Sequence, residues 1–559
     1  MAADAEPVRG FSWLDRADYR VVLPPVCVLI LTVLLTVTAF PPVGVPEAAF
    51  VLAVPAGLWF LRSPSWKWVL PTLLLAGFLS WFILLFWLRH VTYGGLFLVA
   101  GILALYGMTW FVAARWLLPG IREKGWAGRL MGLAGLAGGW VLVEWGRTFV
   151  LSGFPWLPLA ASQWERPFLL QVAAWTGSYG VSFILIFFSL SLASYIDRLI
   201  RFHRQGRRRL APELYVALAV LLFGGFGLYR ASISNGLERE PLFQAGVVQP
   251  YIPQQDKWDR EKVLEIQEVI ERQTRLAHAM EPDLILWPEA VTPLPLFGYY
   301  PSMGAWVEWL SSELEVPLLL GSLAVEHSNA EAGIWRNAAF FVDPEKGVDP
   351  NYYSKRKLVP FGEYIPLHRL WPWLNRVIPV GGSFQPGSTP DPLRIHVAGR
   401  FHEAGILICY EDVFPALGRK TVEAGADFLV VVTNNAWYGE GGAAYQHAVH
   451  SVLRAVETRR PVLRAGNGGW SGWIDEYGNI RDVLVDENES IYFRGAGVLS
   501  VSRDIHWAGR KSFYVRFGDW FVVVSALLFL AACHRTRNDR SRPWNGARKD
   551  LSFWHCSRK

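Results

Sequence analysis

Long apolar runs recur along this chain and constrain its fold more than any other feature of the sequence. A helix that spans a lipid bilayer needs about 20 apolar residues, and eight stretches approach that length. They lie at residues 21–40, 47–61, 68–88, 94–116, 128–150, 175–197, 211–230 and 519–533. Of the 559 residues, 52% are hydrophobic and 28 are tryptophan, which is more than a soluble protein usually contains. The sequence therefore predicts a multi-pass α-helical membrane domain of about eight spans, the second and last of them short.

Basic residues between the apolar runs predict the orientation of the chain. Arginines and lysines cluster before the first run and after the second, fourth, sixth and last runs. Such residues are enriched in short cytoplasmic loops, and with eight spans every cluster falls on one side of the membrane. We therefore predict a membrane domain with seven spans at residues 1–231, an extracytoplasmic domain at 242–503, a last span at 519–533 and a basic cytoplasmic tail at 534–559.

An alternative, a cleaved signal peptide at residues 21–40, fits the length of that run less well. The same clusters account for the net charge of +6, so we do not expect nucleic acid as a partner.

The segment from 242 to 503 has a different pattern, in which short β-rich runs alternate with polar helical stretches. The predicted strands include residues 244–248, 284–287, 317–320, 338–342, 406–408 and 428–433, and the predicted helices lie at 261–279 and 443–459. Short continuous apolar runs are typical of strands that are buried on both faces. The alternation therefore predicts an α/β domain whose sheets are covered on both sides.

The cysteines indicate a nucleophile rather than a disulfide or metal framework. The four of them, Cys27, Cys409, Cys533 and Cys556, show neither paired nor metal-ligand spacing, so we expect no metal and no cofactor. Cys409 alone lies in the α/β segment, directly after the apolar run 404–408. A thiol at the end of a strand that is followed by a carboxylate, here Glu411, is typical of a nucleophile.

Two other strand ends offer the groups that a thiol needs in order to react. A thiol with a pKa near 8.5 requires a base or a positive neighbour at neutral pH. Glu289 follows the predicted strand 284–287 and is a candidate base, and Lys355 is a candidate for stabilising an oxyanion. Each residue alone has a simpler explanation: a buried cysteine, a glutamate at a helix start, or a lysine on a solvated face. Three such strand ends in one domain favour a catalytic site.

These motifs resemble those of a known family. Trp287-Pro288-Glu289, the run from Lys355 to Glu363, and Ile408-Cys409-Tyr410-Glu411 are similar to the Glu-Lys-Cys motifs of the nitrilase (carbon-nitrogen hydrolase) superfamily. Together with eight spans they resemble the apolipoprotein N-acyltransferase family of bacterial inner membranes. Further motifs of that family lie at residues 140–145, 153–157, 434–439 and 446–447. The resemblance implies a nitrilase-like α-β-β-α sandwich attached to a membrane bundle, with the catalytic domain on the periplasmic side.

The resemblance also implies a reaction and roles for particular residues. Members of the family transfer an acyl chain from a phospholipid, through a cysteine thioester, to the α-amine of a diacylglyceryl-modified apolipoprotein. By motif, Glu289 is the base, Lys355 the oxyanion partner and Cys409 the nucleophile. The residues that the resemblance assigns to support of the site or to substrate binding are Glu363, Tyr410, Glu411, Trp258 and Trp437.

Other interpretations of the sequence stay open at this point. A membrane-tethered amidase or nitrilase would use the same three residues with water as the acceptor. A transporter would use Glu144 and Arg147 as ionisable residues within the membrane, although we expect these two to form a structural pair near the outer end of their span. Aromatic segments at 293–300 and 370–374 could dip into the membrane as lids or simply pack on the domain.

Overall fold

The computed structural model describes residues 19–202, 211–230, 238–257, 259–298, 300–326, 333–366 and 384–541. The first part of the chain is helical, and the helices are α1 (Tyr19–Ala39), α2 (Ala48–Val51), α3 (Val54–Phe60), α4 (Trp66–Leu84), α5 (Tyr93–Arg122), α6 (Trp126–Gly146), α7 (Pro167–Leu170), α8 (Ala173–Thr176), α9 (Ser178–Phe202) and α10 (Pro212–Val220, continued by a π-helical turn at Leu221–Gly227). With a last helix near the end of the chain, seven helices in the described ranges are long and apolar enough to cross a membrane. The prediction of a multi-pass helical membrane domain is confirmed.

The second predicted span differs from the expectation of eight continuous helices. Residues 47–61 form the two short helices α2 and α3, with a break at Leu52 and Ala53. Pro55 lacks the N–H that a continuous helix would use, and it instead lies in the first turn of α3, where that N–H has no partner in any case. The short span predicted at 47–61 is therefore an apolar helical segment, but it is divided in two and shorter than the seven spanning helices.

The broken segment nevertheless connects the two ends of the helical bundle. Gln446 of the α/β part donates to the carbonyl of Pro41 at 2.9 Å, whereas Arg115 donates to the carbonyl of Pro64 at 2.6 Å. Arg115 lies about 33 Å along α5 from Tyr93, and His90, just before α5, packs against the α/β part. Pro41 and Pro64 thus lie at opposite ends of the bundle, so the alternation of ends that eight spans predict is retained.

The second part of the chain forms two β-sheets. The strands are β1 (Arg239–Gln249), β2 (Leu284–Trp287), β3 (Leu318–Glu326), β4 (Ile334–Asp343), β5 (Gly347–Val348), β6 (Tyr353–Ser354), β7 (Leu393–Val397), β8 (Arg400–Ile408), β9 (Phe428–Asn434), β10 (Val462–Asn467), β11 (Gly472–Ile474), β12 (Ile480–Val483) and β13 (Gly495–Asp504). One sheet has the order β13-β1-β2-β3-β4-β5, with β6 beside β4, and the other has the order β12-β11-β10-β9-β8-β7. The central strands β1-β2-β3 and β8-β9-β10 are parallel, and their neighbours are antiparallel.

Helices cover the outer face of each sheet. They are α11 (Val263–His278), α12 (Pro301–Leu314), α13 (Pro415–Glu423) and α14 (Gly442–Thr458). The short helix α15 (Phe513–Phe517) packs on α13 and α14, and the last long helix α16 (Trp520–Ser541) packs on α6 of the membrane bundle. One apolar core fills the space between the sheets and includes Leu286, Ile406 and Val430. Another lies between the first sheet and helices α11 and α12, and includes Ile270 and Val307. The predicted α-β-β-α sandwich is confirmed, and the strands and helices predicted at the sequence level lie where the pattern placed them.

The outer layer of the second sheet is not separate from the membrane bundle. A single buried apolar cluster runs from Leu73 and Leu103 of the bundle to Val449 and Val452 on α14. Burial of apolar surface is the main stabilising contribution to such an interface. The helical layer that covers the second sheet is therefore also the layer on which the bundle packs.

Glu144 and Arg147 lie at the end of α6 but do not pair with each other. Glu144 accepts hydrogen bonds from the Trp140 indole at 2.8 Å and from the Leu159 backbone N–H at 2.7 Å. The Arg147 guanidinium instead lies 5.4 Å from the ring centroid of Trp81. Among the ion pairs of the described residues none within 4.0 Å joins the two. The predicted structural pair is therefore not a direct ion pair, although the two charges interact: Trp140 of α6 and the backbone of Leu159 in the following loop bind the carboxylate.

Candidate active site

The three predicted catalytic residues come together at one end of the sandwich. Glu289 follows β2 of the first sheet, Lys355 follows β6, and Cys409 follows β8 of the second sheet. One oxygen of Glu289 accepts from the Lys355 ammonium at 3.0 Å, and the other accepts from the backbone N–H of Asn434 at 3.0 Å. Because Asn434 ends β9 beside β8, the carboxylate bridges the two sheets at the edge where Cys409 lies.

Lys355 is held by two carboxylates rather than one. Its ammonium donates to Glu289 at 3.0 Å and to Glu363 at 2.9 Å, and the lysine is only 1% exposed. Asn337 on β4 donates through its amide to both carboxylates, at 2.8 Å each. The second oxygen of Glu363 accepts from the backbone N–H of Val359. The lysine, the asparagine and the two glutamates therefore fix one another in a buried network.

The electrostatics of this network favour the ionised forms of both partners. Burial alone would raise the pKa of Glu289, but the ammonium groups of Lys355 and Lys257 outweigh it and hold that pKa below its usual value. Burial likewise would lower the pKa of Lys355, and the charges of Glu289 and Glu363 instead hold it well above the usual value. A carboxylate that stays ionised is the form that can accept a proton.

Cys409 is a buried thiol at a strained turn. Its φ of 51° lies in the left-handed region, which costs a residue with a Cβ roughly 1–2 kcal/mol. Burial, the nearby Glu289 carboxylate and a hydrogen bond that the thiol donates to it raise the pKa of Cys409 to about 12. The resting form is therefore the thiol, and a thiolate forms when its proton passes to a base.

The two residues after Cys409 hold the surrounding loops. The Glu411 carboxylate accepts from the backbone N–H groups of Arg356 and Lys357, from the N–H of Ile408 and from the hydroxyl of Tyr353. It thereby ties the loop that carries Lys355 to the strand that carries Cys409. Tyr410 instead donates its hydroxyl to the Gly153 carbonyl of the membrane part at 2.8 Å.

A second polar cluster lies behind the Cys409 turn. One ring nitrogen of His447, on α14, lies 3.1 Å from the Cys409 carbonyl and 2.9 Å from Asp412. Asp412 also accepts from the guanidinium of Arg464 at 2.6 Å and from the hydroxyl of Ser451 at 2.8 Å. These contacts fix the backbone of the turn from the side opposite Glu289.

Gln446, the residue before His447, fastens this region to the membrane bundle. Its side-chain oxygen accepts from the indole N–H groups of Trp87 at 2.9 Å and Trp156 at 3.0 Å. Its side-chain nitrogen donates to the carbonyls of Pro41 at 2.9 Å and Leu84 at 3.0 Å. Both atoms of one buried amide thus contact the bundle, at four different points.

The remaining predicted residues are either exposed or lie outside the residues that the structure describes. Trp437 is 45% exposed on the turn Ala436–Tyr438. Trp258, most of the basic tail and the predicted lid at 370–374 lie outside the described residues. In the described ranges, no group of three or more His, Cys, Asp or Glu side chains is arranged to hold a metal ion.

Sequence reasoning missed several members of the site. Asn337 lies in the middle of a strand and gives no signal in one sequence, because its importance depends on which two carboxylates it meets. Asn434, Gln446 and His447 fall in recognised motifs, but the motifs assign them no role. Lys257 precedes the predicted substrate residue Trp258 and is itself buried beside Glu289.

Comparisons with known proteins support this description of both parts. A family model described as the apolipoprotein N-acyltransferase N-terminal domain matches residues 32–191, and one described as carbon-nitrogen hydrolase matches residues 244–496. The apolipoprotein N-acyltransferase of Geobacter metallireducens is 34% identical over 409 residues, which cover 71% of this chain and 74% of that protein. The chain belongs to the apolipoprotein N-acyltransferase family. The member from Caulobacter vibrioides is 30% identical over 483 residues, covering 84% of this chain and 85% of the relative.

The chain is also similar to solved structures. An amidase from Nesterenkonia sp. has a TM-score of 0.36 and 17% identity, covering 54% of this chain and 99% of the amidase. A carbon-nitrogen hydrolase from Helicobacter pylori G27 has a TM-score of 0.35 and 15% identity, covering 50% of this chain and 94% of the hydrolase. The two family models and the relatives show that the membrane part and the carbon-nitrogen hydrolase part belong to one enzyme of the apolipoprotein N-acyltransferase family.

Proposed function

We propose that this protein transfers an acyl chain from a phospholipid, through a thioester on Cys409, to the N-terminal α-amine of a diacylglyceryl-cysteine lipoprotein. The observation that supports it most is the position of the thiol, which donates to the carboxylate of Glu289 and is followed by Tyr410, whose hydroxyl contacts the membrane bundle. The apolar core of that bundle continues into the catalytic part. The relatives that carry this name support the same reaction. The acyl donor and the lipidated acceptor are both membrane components, so they can reach such a site from the bilayer.

The first half-reaction forms the acyl-enzyme. Glu289 takes the proton of the Cys409 thiol, and the thiolate adds to the ester carbonyl of the phospholipid. The ammonium of Lys355 stabilises the oxyanion that develops, as a fixed buried donor does in acyl transfer. When the tetrahedral intermediate collapses, the C–O bond breaks, Glu289 returns its proton to the leaving alkoxide, and a lysophospholipid departs from the thioester.

The second half-reaction consumes the thioester. The neutral α-amine of the diacylglyceryl-cysteine adds to the thioester carbonyl, and its proton passes to Glu289. Collapse of the second intermediate breaks the C–S bond and forms the amide, and Glu289 then reprotonates the Cys409 thiolate. Water would compete with the amine, so the burial of Cys409, which is 5% exposed, favours transfer over hydrolysis.

The proposed location is the inner membrane of a bacterium, with the catalytic part on the periplasmic side. The supporting observation is the distribution of basic residues at the end of the bundle opposite the catalytic part. Arg122 and Arg201 bind Asp197 there, and Arg129 binds Glu213. Positive residues at this end match the rule for cytoplasmic loops.

Intact-mass measurement of the purified protein incubated with phospholipid tests the first step. We expect a mass increase of one acyl chain that hydroxylamine removes, because hydroxylamine cleaves thioesters. The adduct should be absent in Cys409→Ala, with Cys533→Ala as the matched control that still acylates. An adduct that persists in Cys409→Ala would rule out this cysteine as the nucleophile.

A membrane-tethered amidase or nitrilase-type hydrolase is the second candidate, and the carbon-nitrogen hydrolase match over residues 244–496 favours it. The two differ in the acceptor. Labelled acyl-enzyme should persist in buffer and discharge when a diacylglyceryl-cysteine peptide is added, with the label then in amide linkage. The same peptide with an acetylated α-amine should leave the acyl-enzyme intact. Equal decay to free fatty acid with and without peptide would instead show that water is the acceptor.

A further inference from the structure

Lys257 is a second buried lysine in the active site, and the proposed mechanism gives it no role. It lies on the loop after β1, is 2% exposed, and donates from its ammonium to the backbone carbonyl of Glu289 at 3.1 Å. A lysine is almost never fully buried unless its charge has a partner. Its position beside Glu289 therefore requires an explanation in terms of charge.

The charges of the site suggest that explanation. Glu289 and Glu363 are two carboxylates joined to one ammonium, that of Lys355. With a neutral thiol these three groups have a net charge of −1 in a buried environment, where an uncompensated charge is costly. The ammonium of Lys257 makes the group neutral, and the group stays neutral when the proton of Cys409 moves to Glu289.

We propose that Lys257 is an electrostatic positioning residue that keeps the active site neutral and Glu289 ionised, so that Glu289 can accept the proton of Cys409. The inference rests on the proposed roles of Glu289 and Cys409. Without Lys257, Lys355 would be the one cation among these groups to balance the carboxylates of Glu289 and Glu363 and the thiolate that forms on Cys409. Glu289 would then bind a proton more readily.

Other charged and titratable groups also face Glu289 and could influence its ionisation. They come from the loop after β6, from the Cys409 turn and from the turn after β9, and they are Lys355, Glu363, Cys409 and Tyr438. Only Lys355 among them is a cation. Burial, opposed by the charges of Glu289 and Cys409, lowers the pKa of Lys257 to about 8, so at pH 7 most of it stays protonated.

The test uses the full-length protein with Cys27, Cys533 and Cys556 replaced by alanine, and follows alkylation of Cys409 by iodoacetamide from pH 3 to 9 by intact mass. In the protein that keeps Lys257, we expect the rate of alkylation to fall only at acid pH, where Glu289 is protonated. Lys257→Met should move the midpoint of this acid limb upward by about one pH unit or more, the usual effect of losing a nearby opposite charge. Lys262→Met, which removes a lysine bound to Asp256 at the surface, should leave the midpoint unchanged.

A compensating variant separates charge from structure. Glu363→Gln removes one negative charge while keeping an amide oxygen that can accept from Lys355. In Lys257→Met/Glu363→Gln the site is again neutral, so the acid limb should return to the wild-type midpoint. If Lys257→Met does not fold, the double variant decides alone: a midpoint at the wild-type value supports the proposal, and a raised midpoint overturns it.

The other outcomes are equally decisive. A slower rate in Lys257→Met with an unchanged midpoint would show a merely structural role and overturn the proposal. Because alkylation needs no phospholipid, a shifted midpoint in a protein that phospholipid fails to acylate would uphold this inference while refuting the proposed acyl transfer.

Discussion

The side-chain oxygen of Gln446 accepts a hydrogen bond from the indole of Trp156 at 3.0 Å, across the contact between the catalytic part and the membrane bundle. The next residue, His447, contacts the carbonyl of Cys409. The ring of Trp156 also lies 5.5 Å from that of His447. The nucleophile turn is thus linked to the bundle through two consecutive residues of α14, so a displacement of the bundle would move the turn.

Gln446→Leu should weaken this link strongly. The change leaves two indole N–H groups and two carbonyls without partners in a buried interface, and each such group costs about 1–3 kcal/mol. We expect a lower midpoint of thermal unfolding in detergent and slower acyl-enzyme formation. Gln255→Leu, at an exposed position, is the control. Equal midpoints for Gln446→Leu and the wild type would show that the amide contributes nothing to the interface.

Glu289→Gln and Lys355→Met should each slow acyl-enzyme formation by a factor of about 10² or more, the usual contribution of a general base or an oxyanion donor. Both side chains are buried within the same network, so circular dichroism must show that each variant is folded. The initial rate of acylation by phospholipid is the measurement. A folded variant that acylates at the normal rate would remove its residue from the proposed mechanism.

Asp412→Asn should destabilise the protein by about 3–5 kcal/mol near neutral pH, because it leaves the fully buried Arg464 without its counter-charge. Burial would raise the pKa of Asp412, but its contacts with His447 and Arg464 hold that pKa far below the usual value.

The sign of the pH dependence follows from that direction. A carboxyl whose pKa is lowered by folding contributes stability above its unfolded pKa of about 3.9, and the contribution is lost as the pH falls through the lower folded value. The difference in unfolding free energy between wild type and Asp412→Asn should therefore be constant from pH 5 to 8 and shrink only below about pH 4. Chemical denaturation at several pH values measures it, with the exposed Asp391→Asn as control. A difference that already falls between pH 8 and 6 would contradict this assignment.

The proposed orientation predicts which face of the membrane each end of the protein occupies. Cys409 is too buried for a bulky reagent, so reporter cysteines at exposed sites are better suited. In a variant without native cysteines, Phe401→Cys, at a side chain that is 62% exposed on the catalytic part, should react with a membrane-impermeant maleimide applied from the periplasm. Gly125→Cys, between α5 and α6 at the opposite end, should react only after the inner membrane is opened. The reverse pattern would invert the topology.

The sequence alone determined the architecture of this protein and predicted the three residues to which the proposed mechanism assigns the chemistry. The length of each membrane span and the charge of each loop follow from local composition, so the bundle could be predicted. Strands that are buried on both faces appear as short apolar runs, so the sandwich could be predicted too. Glu289, Lys355 and Cys409 follow strand ends in recognisable motifs. The break before Pro55 could also have been anticipated, since proline interrupts the hydrogen bonding of a helix.

Only the tertiary structure decided which residues complete the site. Asn337 donates to two carboxylates that are distant from it in the sequence, and Lys257 is buried against Glu289 only once the chain has folded. The four bonds of Gln446 join segments more than 280 residues apart. Hydrogen bonds and charge interactions depend on distances in space and on burial, and one sequence records neither for residues that meet only after the chain has folded.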